Sequence, residues 1–199
     1  MLRGSYKRPA THFITMFSSR HHFVDTLPGG FTIRRAVSAD AATVAELAER
    51  TFAEWFGAQN SPDDIAAHAA RSYSEAIQRR EIEDPDGVTL LVESDNTPIA
   101  FVQIRRGPAP ACVDSELPVE IARFYVDRPY HGRGIAQALM SEAIDAARAL
   151  GGATLWLGVW ERNPRAIAFY TKCGFVDRGS HPYVVGSDVQ NDRVMVMTL

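Results

Sequence analysis

The sequence predicts an α/β protein in which helices flank a central mixed sheet that is mostly antiparallel. Segments of alternating apolar residues are interleaved with segments whose apolar residues recur every three or four positions. Two strand-like segments at 88–93 and 99–105 flank a polar turn, which predicts an antiparallel hairpin. A strand, a helix and a second strand follow one another between residues 119 and 160, which predicts a parallel crossover.

The first part of the chain is predicted to hold one strand and two helices. Residues 31–36 alternate and predict a strand. Ser38 is expected to cap the first helix, with Asp40 in its first turn and Gly57 at its end. Ser61 precedes a proline and two acids, the pattern of a second helix start. The apolar face of that second helix is predicted to consist of Ile65, Ala69, Tyr73 and Ile77.

The second part of the chain alternates between strands and helices. Residues 107–118 hold three prolines and predict an irregular loop. Apolar residues at helical spacing predict an amphipathic helix over 135–150, which two glycines stop. The other predicted elements are strands at 119–126, 153–160, 175–178 and 194–199 and a short helix at 164–172.

Composition and charge narrow the class of protein. Hydrophobic residues make up 46% of the chain, which is enough to build a core and argues against a disordered protein. The formal net charge of -3 gives no reason to expect nucleic acid as a partner. No uninterrupted apolar run approaches the ~20 residues needed to cross a bilayer. We therefore expect a soluble, cytoplasmic protein with no membrane or nucleic-acid partner.

The cysteines and histidines do not follow a metal-binding pattern. Cys112 and Cys173 are not part of a C-x-x-C pair, and no nearby histidine has zinc-ligand spacing. His21 and His22 lie side by side in a polar tail. We expect two reduced thiols and no metal.

The segment 1–28 differs from the rest of the chain. Its charged residues before Asp25 are all basic, which resembles a transit peptide in charge alone, and it has no long apolar stretch. We expect a flexible N-terminal extension, or a translation start at Met16, followed by one domain over 29–199.

The turn before the helix at 135–150 carries the most specific chemistry in the sequence. Residues 130–136 run Tyr-His-Gly-Arg-Gly-Ile-Ala. Free N–H groups and the helix dipole favour an anion at a helix start, glycines let the backbone close around phosphate oxygens, and Arg133 adds a positive charge. Neither the dinucleotide fingerprint nor the Walker pattern is complete. A phosphate-binding turn and an ordinary glycine turn both stay open on these residues alone.

This turn resembles the coenzyme A motif of GNAT acetyltransferases, Q/R-x-x-G-x-G/A. His131, Gly134 and Ala136 fall on the three motif positions. The two small residues match the motif, and His131 stands where the family usually has Gln or Arg.

Two later segments strengthen the resemblance. Residues 155–175 resemble the family's later strand and helix, and 186–199 resemble the closing hairpin of some members. The matching residues are Asn163, Ala166, Phe169, Tyr170, Gly174 and Phe175 in the first segment and Gln190, Asp192 and Met195 in the second. The resemblance covers roughly residues 30–199.

The resemblance implies an N-acetyltransferase that moves the acetyl group of acetyl-CoA to an amine acceptor by direct attack in a ternary complex. It also implies which residues bind acetyl-CoA. These are the turn residues His131, Gly132, Arg133, Gly134, Ile135 and Ala136, together with Asn163 and the backbone of Phe124, Tyr125 and Val126.

Acetyl transfer to an amine needs a base, because amines are protonated at neutral pH, and an acid for the leaving thiolate. Glu120 is the candidate base, since a carboxylate in an apolar strand is costly unless it is wetted or paired. The alternative for Glu120 is an ion pair with Arg123 or Arg105. The resemblance makes Tyr170 the candidate acid, and the alternative is a core aromatic beside Phe169.

A second function stays open at this stage, a non-catalytic sensor that binds acyl-CoA with the same fold. Its cofactor motif would look the same, but it would need neither Glu120 nor Tyr170. Trp55, Phe56 and Tyr73 are candidates to line the acceptor pocket. The sequence does not identify the acceptor amine, and it leaves the oligomeric state open between a monomer and the homodimer common in the family.

Overall fold

The computed structural model describes residues 25–27, 30–57, 60–185 and 188–199. In chain order its strands are β1 (Asp25–Leu27), β2 (Phe31–Arg35), β3 (Gly87–Ser94), β4 (Thr97–Arg106), β5 (Pro118–Val126), β6 (Thr154–Trp160), β7 (Val176–Val185) and β8 (Asp188–Thr198). Its helices are α1 (Ala41–Phe56), α2 (Pro62–Ser72), α3 (Glu75–Glu83), α4 (Ile135–Ala149) and α5 (Pro164–Lys172).

The described strands form one sheet in the order β1-β2-β3-β4-β5-β6-β8-β7. Every neighbouring pair is antiparallel except β5 and β6, which are parallel. A mixed and mostly antiparallel sheet flanked by helices confirms the predicted fold class. The β5–β6 pair confirms the predicted crossover, and β3 with β4 confirms the predicted hairpin.

The sheet carries a hydrophobic core on each face. On one face α4 and α5 pack against the strands, with Leu139 and Val92 fully buried. On the other face α1, α2 and α3 pack around Leu91 and Phe101, which are also fully buried. Leu91 and Val92 serve opposite cores because successive residues of a strand point to opposite faces. This arrangement leaves the middle of the sheet covered on both sides.

The parallel strands β5 and β6 separate soon after they meet. Their register pairs residues 118–120 with 154–156, and the rest of each strand has no partner in the other. Next to this point the β4–β5 register shifts and leaves Ala122 without a partner. Such a bulge bends a strand and increases its twist. The result is a V-shaped opening along which β5 has no sheet partner on its β6 side.

The first predicted helix starts later than the sequence pattern indicates. Ser38 does not cap α1, because it begins a short 3-10 turn and its hydroxyl donates to Oε1 of Glu83 at 2.6 Å. The α-helix therefore begins at Ala41 and ends before Gly57, as predicted for that end.

The predicted second helix is two helices. Tyr73 ends α2, and the Ser74 hydroxyl then accepts a bond from the Ile77 N–H as the cap of α3. A serine at this position offers the backbone an alternative to continuing the helix. Ile77 therefore belongs to α3 and not to the face of α2.

The closing hairpin is longer than predicted. Strands β7 and β8 pair from Val176 opposite Val196 to Val185 opposite Asp188. Strand β1, at 25–27, lies inside the segment predicted as an extension, whereas residues 1–24, with His21 and His22, lie outside the described residues. The domain boundary therefore stays a prediction. Among the described helices, none has the length and apolar character needed to span a membrane.

Candidate active site

A cavity of about 450 Å³ opens where β5 and β6 separate. Its walls come from β5, the glycine turn before α4, β6, α5 and the closing hairpin, and α1 covers it from one side. Most residues that the sequence predicts for the site meet in this cavity. The described residues contain no group of three or more His, Cys, Asp or Glu side chains that could hold a metal ion.

The glycine turn forms an open cradle at the start of α4. Gly132 and Gly134 have φ values of 78° and 82°, the left-handed conformation that other L-residues rarely adopt. A Cβ atom built on either glycine would meet nothing within 4 Å, so the space in front of them is empty of protein. The first helical bond runs from the Ala138 N–H to the Gly134 carbonyl at 3.1 Å. The N–H groups of 135–137 are therefore unpaired within the helix, at its positive end.

His131 connects this turn to two other elements. Its Nε2 lies 2.8 Å from the Val126 carbonyl oxygen, and its Nδ1 lies 3.2 Å from Nη2 of Arg165. Because a guanidinium only donates, Nδ1 accepts and the proton is on Nε2. The Trp55 ring stacks on the His131 imidazole, with ring centres 5.5 Å apart, and Cζ of Arg165 lies 5.6 Å from the centre of the same Trp55 ring. His131 thus joins the end of β5 to the start of α5.

Asn163 lies at the cavity wall and caps α5, since its Oδ1 accepts a bond from the Ala166 N–H at 3.1 Å. Arg133 lies over the Tyr130 ring at 5.3 Å and is exposed. The side chain of Phe124 packs edge-on against Tyr170. The predicted cofactor contacts of Asn163 and Arg133 stay predictions.

Tyr170 combines core packing with a free hydroxyl. Its ring lies edge-on to Phe124, Phe169 and Phe175, and its side chain is almost fully buried. Burial raises the pKa of its hydroxyl well above the ordinary value of 10, so the group stays protonated at neutral pH. Tyr170 lines the cavity, and among the described residues its hydroxyl has no hydrogen-bond partner. Tyr170 therefore lines the cavity with its hydroxyl in the protonated form, and its role as the acid stays a prediction.

Glu120 lies outside the cavity. Its Oε2 accepts a bond from Nε of Arg105 at 2.7 Å, and the two residues are cross-strand partners in β4 and β5. Glu120 also lies where β5 is still paired with β6, opposite Trp156 and before the strands separate. Glu120, the predicted base, therefore forms the ion pair with Arg105, which is one of the two pairs that the sequence left open.

The chain matches the model of the acetyltransferase (GNAT) family over residues 45–175. The chain belongs to the GNAT family. An uncharacterized N-acetyltransferase of Mycobacterium tuberculosis is 32% identical over 160 residues, which cover 80% of this chain and 98% of the relative. An uncharacterized N-acetyltransferase of Lactobacillus delbrueckii is 28% identical over 170 residues, with coverage of 85% and 98%.

Solved structures show the same fold for this GNAT protein. The PaiA N-acetyltransferase of Thermoplasma acidophilum, in complex with coenzyme A, has a TM-score of 0.68 at 22% identity and covers 85% of this chain and 99% of its own. A GCN5-related N-acetyltransferase of Rhodopseudomonas palustris has a TM-score of 0.66 at 19% identity, with coverage of 90% and 100%. The family assignment confirms the resemblance that the sequence motifs indicate.

Asp192 of β8 is a cavity residue to which the sequence gave no role. Its side chain lines the cavity of this GNAT protein and is only 8% exposed. Among the described residues its carboxyl group has no hydrogen-bond partner, and burial raises its pKa to about 6. The sequence showed Asp192 as one match in the closing hairpin. No local pattern indicates that it meets Trp160, its cross-strand partner in β6, at the cavity.

A chain of polar groups lies behind the cavity wall. The Tyr125 hydroxyl is 3.1 Å from the Tyr73 hydroxyl, which is 3.3 Å from Nε2 of His68. Burial lowers the pKa of His68 to about 4, so this imidazole is neutral at neutral pH. Tyr125 lines the cavity, whereas Tyr73 lies behind Tyr125 and is not part of the lining. Of the three aromatic residues predicted to line the acceptor pocket, Trp55 and Phe56 reach the cavity.

Arg123 fixes the position of this wall relative to the sheet. Its Nη1 donates to Oε2 of Glu81 at 2.6 Å, and its Nη2 donates to the carbonyl oxygen of Ser72 at 3.0 Å. The guanidinium also lies 5.5 Å from the centre of the Tyr73 ring. The partner of Arg123 is therefore Glu81 and not Glu120, and the pair holds the α2–α3 junction against β5.

The burial of Asp192 predicts a pH-dependent gain of stability in the Asp192→Asn variant. The raised pKa of Asp192 in the folded state means that the folded protein prefers the protonated carboxyl group. The contribution of this protonation to the free energy of unfolding is fully present below pH 3.8 and is lost as pH rises through about 6. Asn cannot ionise, so the variant should be more stable than the wild type above pH 6 by about 1–3 kcal/mol. Urea unfolding at pH 8 and at pH 4 measures this difference, which should nearly vanish at the lower pH.

Asp177→Asn is the control for that measurement, because Arg193 lowers the pKa of the Asp177 carboxyl. Its effect should have the opposite sign, a loss of stability at pH 8 that shrinks as pH falls below 3.8. An Asp192→Asn variant that is less stable than the wild type at pH 8 would contradict the burial of an unpaired carboxylate.

Proposed function

We propose that this GNAT protein transfers the acetyl group of acetyl-CoA to the nitrogen of an amine acceptor, by direct attack within a ternary complex. One observation carries the proposal: a single cavity joins the glycine cradle at the positive end of α4, an unpaired strand edge and the buried Tyr170. The structural likeness to a PaiA N-acetyltransferase in complex with coenzyme A supports acetyl-CoA as the donor.

The cradle at 131–136 fits the pyrophosphate of acetyl-CoA. The N–H groups of Ile135 and Ala136 are unpaired at the positive end of α4, and the space in front of Gly132 and Gly134 is open. Arg133 supplies a positive charge on an exposed side chain at the same turn. These features together satisfy what a phosphate group requires: donors, charge and room.

The edge of β5 fits the pantetheine arm. The backbone of Phe124, Tyr125 and Val126 has no partner strand on the β6 side, so an extended amide chain can pair with it as an added strand. His131 already binds the Val126 carbonyl, which sets the end of the available edge. Asn163 lies on the facing wall, at the start of α5.

Acetyl-CoA supplies an activated acetyl group, and two proton transfers must accompany its reaction: one to the departing sulfur and one from the amine. Tyr170 donates a proton from its hydroxyl to the departing sulfur, because burial keeps this hydroxyl protonated and no described residue binds it. The amine must lose a proton before it attacks. Glu120 was the first candidate for this step, but its ion pair with Arg105 lies outside the cavity.

A thiol-release assay tests the proposed function. Purified protein, acetyl-CoA and a panel of primary amines are mixed with a thiol-reactive dye, and products are identified by mass. We expect thiol release that needs both the protein and an amine, with an N-acetylated product of matching amount. Acetyl-CoA binding without turnover across the panel would contradict the enzyme and favour a sensor of acyl-CoA.

A further inference from the structure

Arg165 lies in the first turn of α5, next to the glycine turn. Its Nη2 lies 3.2 Å from Nδ1 of His131, the residue directly before Gly132. Arg165, Gly132 and Gly134 all line the same cavity. The fold therefore brings this guanidinium to the cradle, although Arg165 follows His131 by 34 residues in the sequence.

The charge of Arg165 has no counter-ion among the described residues. Two arginines line the cavity, and one of them, Arg123, pairs with Glu81 at 2.6 Å. The described ion pairs do not include Arg165, whose hydrogen-bond partner is the imidazole of His131. Because Nδ1 accepts this bond, the imidazole is neutral and leaves the guanidinium charge uncompensated. The cavity wall beside the cradle therefore carries a free positive charge.

Two contacts fix the orientation of this guanidinium. Its Cζ lies 5.6 Å from the centre of the Trp55 ring, within the range of a cation–π contact. The same ring stacks on the His131 imidazole with an angle of 21° between the planes. Neither the ring nor the imidazole neutralises the charge of Arg165. The guanidinium is thus held in place by groups that leave it able to bind an anion.

The donors of Arg165 complement those of the cradle. A guanidinium has five N–H donors in a planar fork, and His131 takes one of them. Such a fork matches the oxygen atoms of a phosphate group. The N–H groups at the start of α4 are unpaired within the helix, so a phosphate here would meet donors from both α4 and α5. His131 stands where the family usually has Gln or Arg, and Arg165 brings a guanidinium to that position from another element.

We propose that Arg165 is a further cofactor-binding residue, whose guanidinium binds oxygen atoms of the acetyl-CoA pyrophosphate in the cradle. Trp55 and His131 are positioning residues that orient this guanidinium. The inference rests on the proposed function, since it takes acetyl-CoA as the ligand. Two elements distant in sequence, α1 and α5, thereby take part in phosphate binding together with the turn at 131–136.

The test compares full-length Arg165→Gln with the wild type by titration calorimetry with coenzyme A. Gln keeps a polar side chain but removes the charge and the fork, so the affinity should fall about 10–100-fold. The probe 3′-dephospho-coenzyme A retains the pyrophosphate, and its affinity should fall by the same factor. The difference between variant and wild type should shrink as the salt concentration rises, because salt screens a contact between charges.

Two further arginine variants are matched controls. Arg162→Gln removes an exposed charge in the connection between β6 and α5 that does not line the cavity, so it should keep the wild-type affinity. Arg165→Lys keeps the charge but loses the planar fork, so it should bind coenzyme A with intermediate affinity. Thermal unfolding of each variant shows that the fold is retained.

Trp55→Leu tests the positioning role of the aromatic ring. The loss of one cation–π contact should weaken coenzyme A binding by about 2–5-fold. In the Arg165→Gln background the same change should cause no further loss, because the group that Trp55 orients is already absent. Losses that add in the double variant would contradict this role for Trp55.

The outcomes that contradict the inference are distinct from one another. Wild-type affinity in Arg165→Gln would reject Arg165 as a binding residue. A loss that disappears with 3′-dephospho-coenzyme A would place the contact at the 3′-phosphate and not at the pyrophosphate. A loss of the same size at every salt concentration would indicate a structural role for Arg165.

The binding measurements also separate this inference from the proposed function. If the wild type binds coenzyme A but acetylates no amine, the proposed acetyl transfer fails and the losses in Arg165→Gln still support the role of Arg165. If the wild type acetylates an amine and Arg165→Gln binds coenzyme A normally, the inference alone fails. A wild type that does not bind coenzyme A overturns both.

Discussion

Gly134→Asp is expected to abolish the binding of acetyl-CoA, with a loss of at least about 100-fold in affinity. Gly134 is the N-cap of α4 at φ 82°, and open space lies in front of it. The new carboxylate would occupy that space and place a negative charge against the phosphates. It would also be drawn to the positive helix end that the phosphates need. Titration calorimetry with acetyl-CoA measures the loss.

Two control variants separate the effect of the charge on acetyl-CoA affinity from the effect of the backbone conformation. Gly134→Asn has a side chain of the same shape, without the charge, and Asn tolerates the left-handed conformation about as well as Asp. Gly151→Asp carries the same change at φ 80° just beyond the other end of α4. We expect intermediate binding for the first and near wild-type binding for the second. Equal affinity in Gly134→Asp and the wild type would reject the cradle as the phosphate site.

Tyr170→Phe is expected to lower kcat by up to ~10²–10⁴-fold without loss of stability or of acetyl-CoA affinity. The substitution keeps the ring that packs against Phe124, Phe169 and Phe175 and deletes one hydroxyl. Since that hydroxyl has no described partner, its removal leaves no buried group unpaired. Turnover and thermal unfolding should be measured on the same preparation.

If Tyr170 has only a structural role, a different turnover and a different stability are expected for Tyr170→Phe. Turnover would then stay at the wild-type level, and stability would change by about 1 kcal/mol if the hydroxyl were bonded in solution. Phe169→Leu is a useful companion, because it disturbs the neighbouring packing and leaves the hydroxyl in place. Equal turnover in Tyr170→Phe and the wild type would remove Tyr170 from the mechanism.

The fold class and the glycine cradle at the start of α4 could be predicted from local sequence. Alternation and helical spacing indicate the individual strands and helices, because each reflects the burial of one face. The cradle is a continuous stretch, so its glycines and the helix start appear together in the sequence. Tyr170, which the resemblance over 155–175 singled out, lines the cavity, and its role as the acid stays a prediction.

The cavity wall around the closing hairpin could not be predicted, because it is assembled by strand register. Glu120 meets Arg105 since the two lie opposite each other in β4 and β5, and the bulge at Ala122 sets which residues continue into the opening. Asp192 reaches the cavity only because β8 lies next to β6 and β7 lies next to β8. Residues this far apart in sequence show no spacing that reveals the contact.

The boundary between α2 and α3 was misjudged for a local reason. The apolar spacing of Ala69, Tyr73 and Ile77 continues across a helix break, because the Ser74 cap starts a new helix with the same spacing. Tyr73 then ends α2 and lies under the Arg123 guanidinium, behind Tyr125. A cap inside a periodic pattern therefore outweighs the pattern itself.

Transfer of a carbon-13 label tests acetyl transfer to nitrogen most directly. Wild-type protein is mixed with acetyl-CoA labelled in the acetyl carbonyl and with each member of a panel of primary amines, and both the small molecules and the intact protein are analysed by mass. Direct attack predicts a labelled amide that accumulates over many turnovers, while the protein mass stays unchanged. Label on the protein, or no labelled amide from any primary amine above the rate without protein, would contradict it.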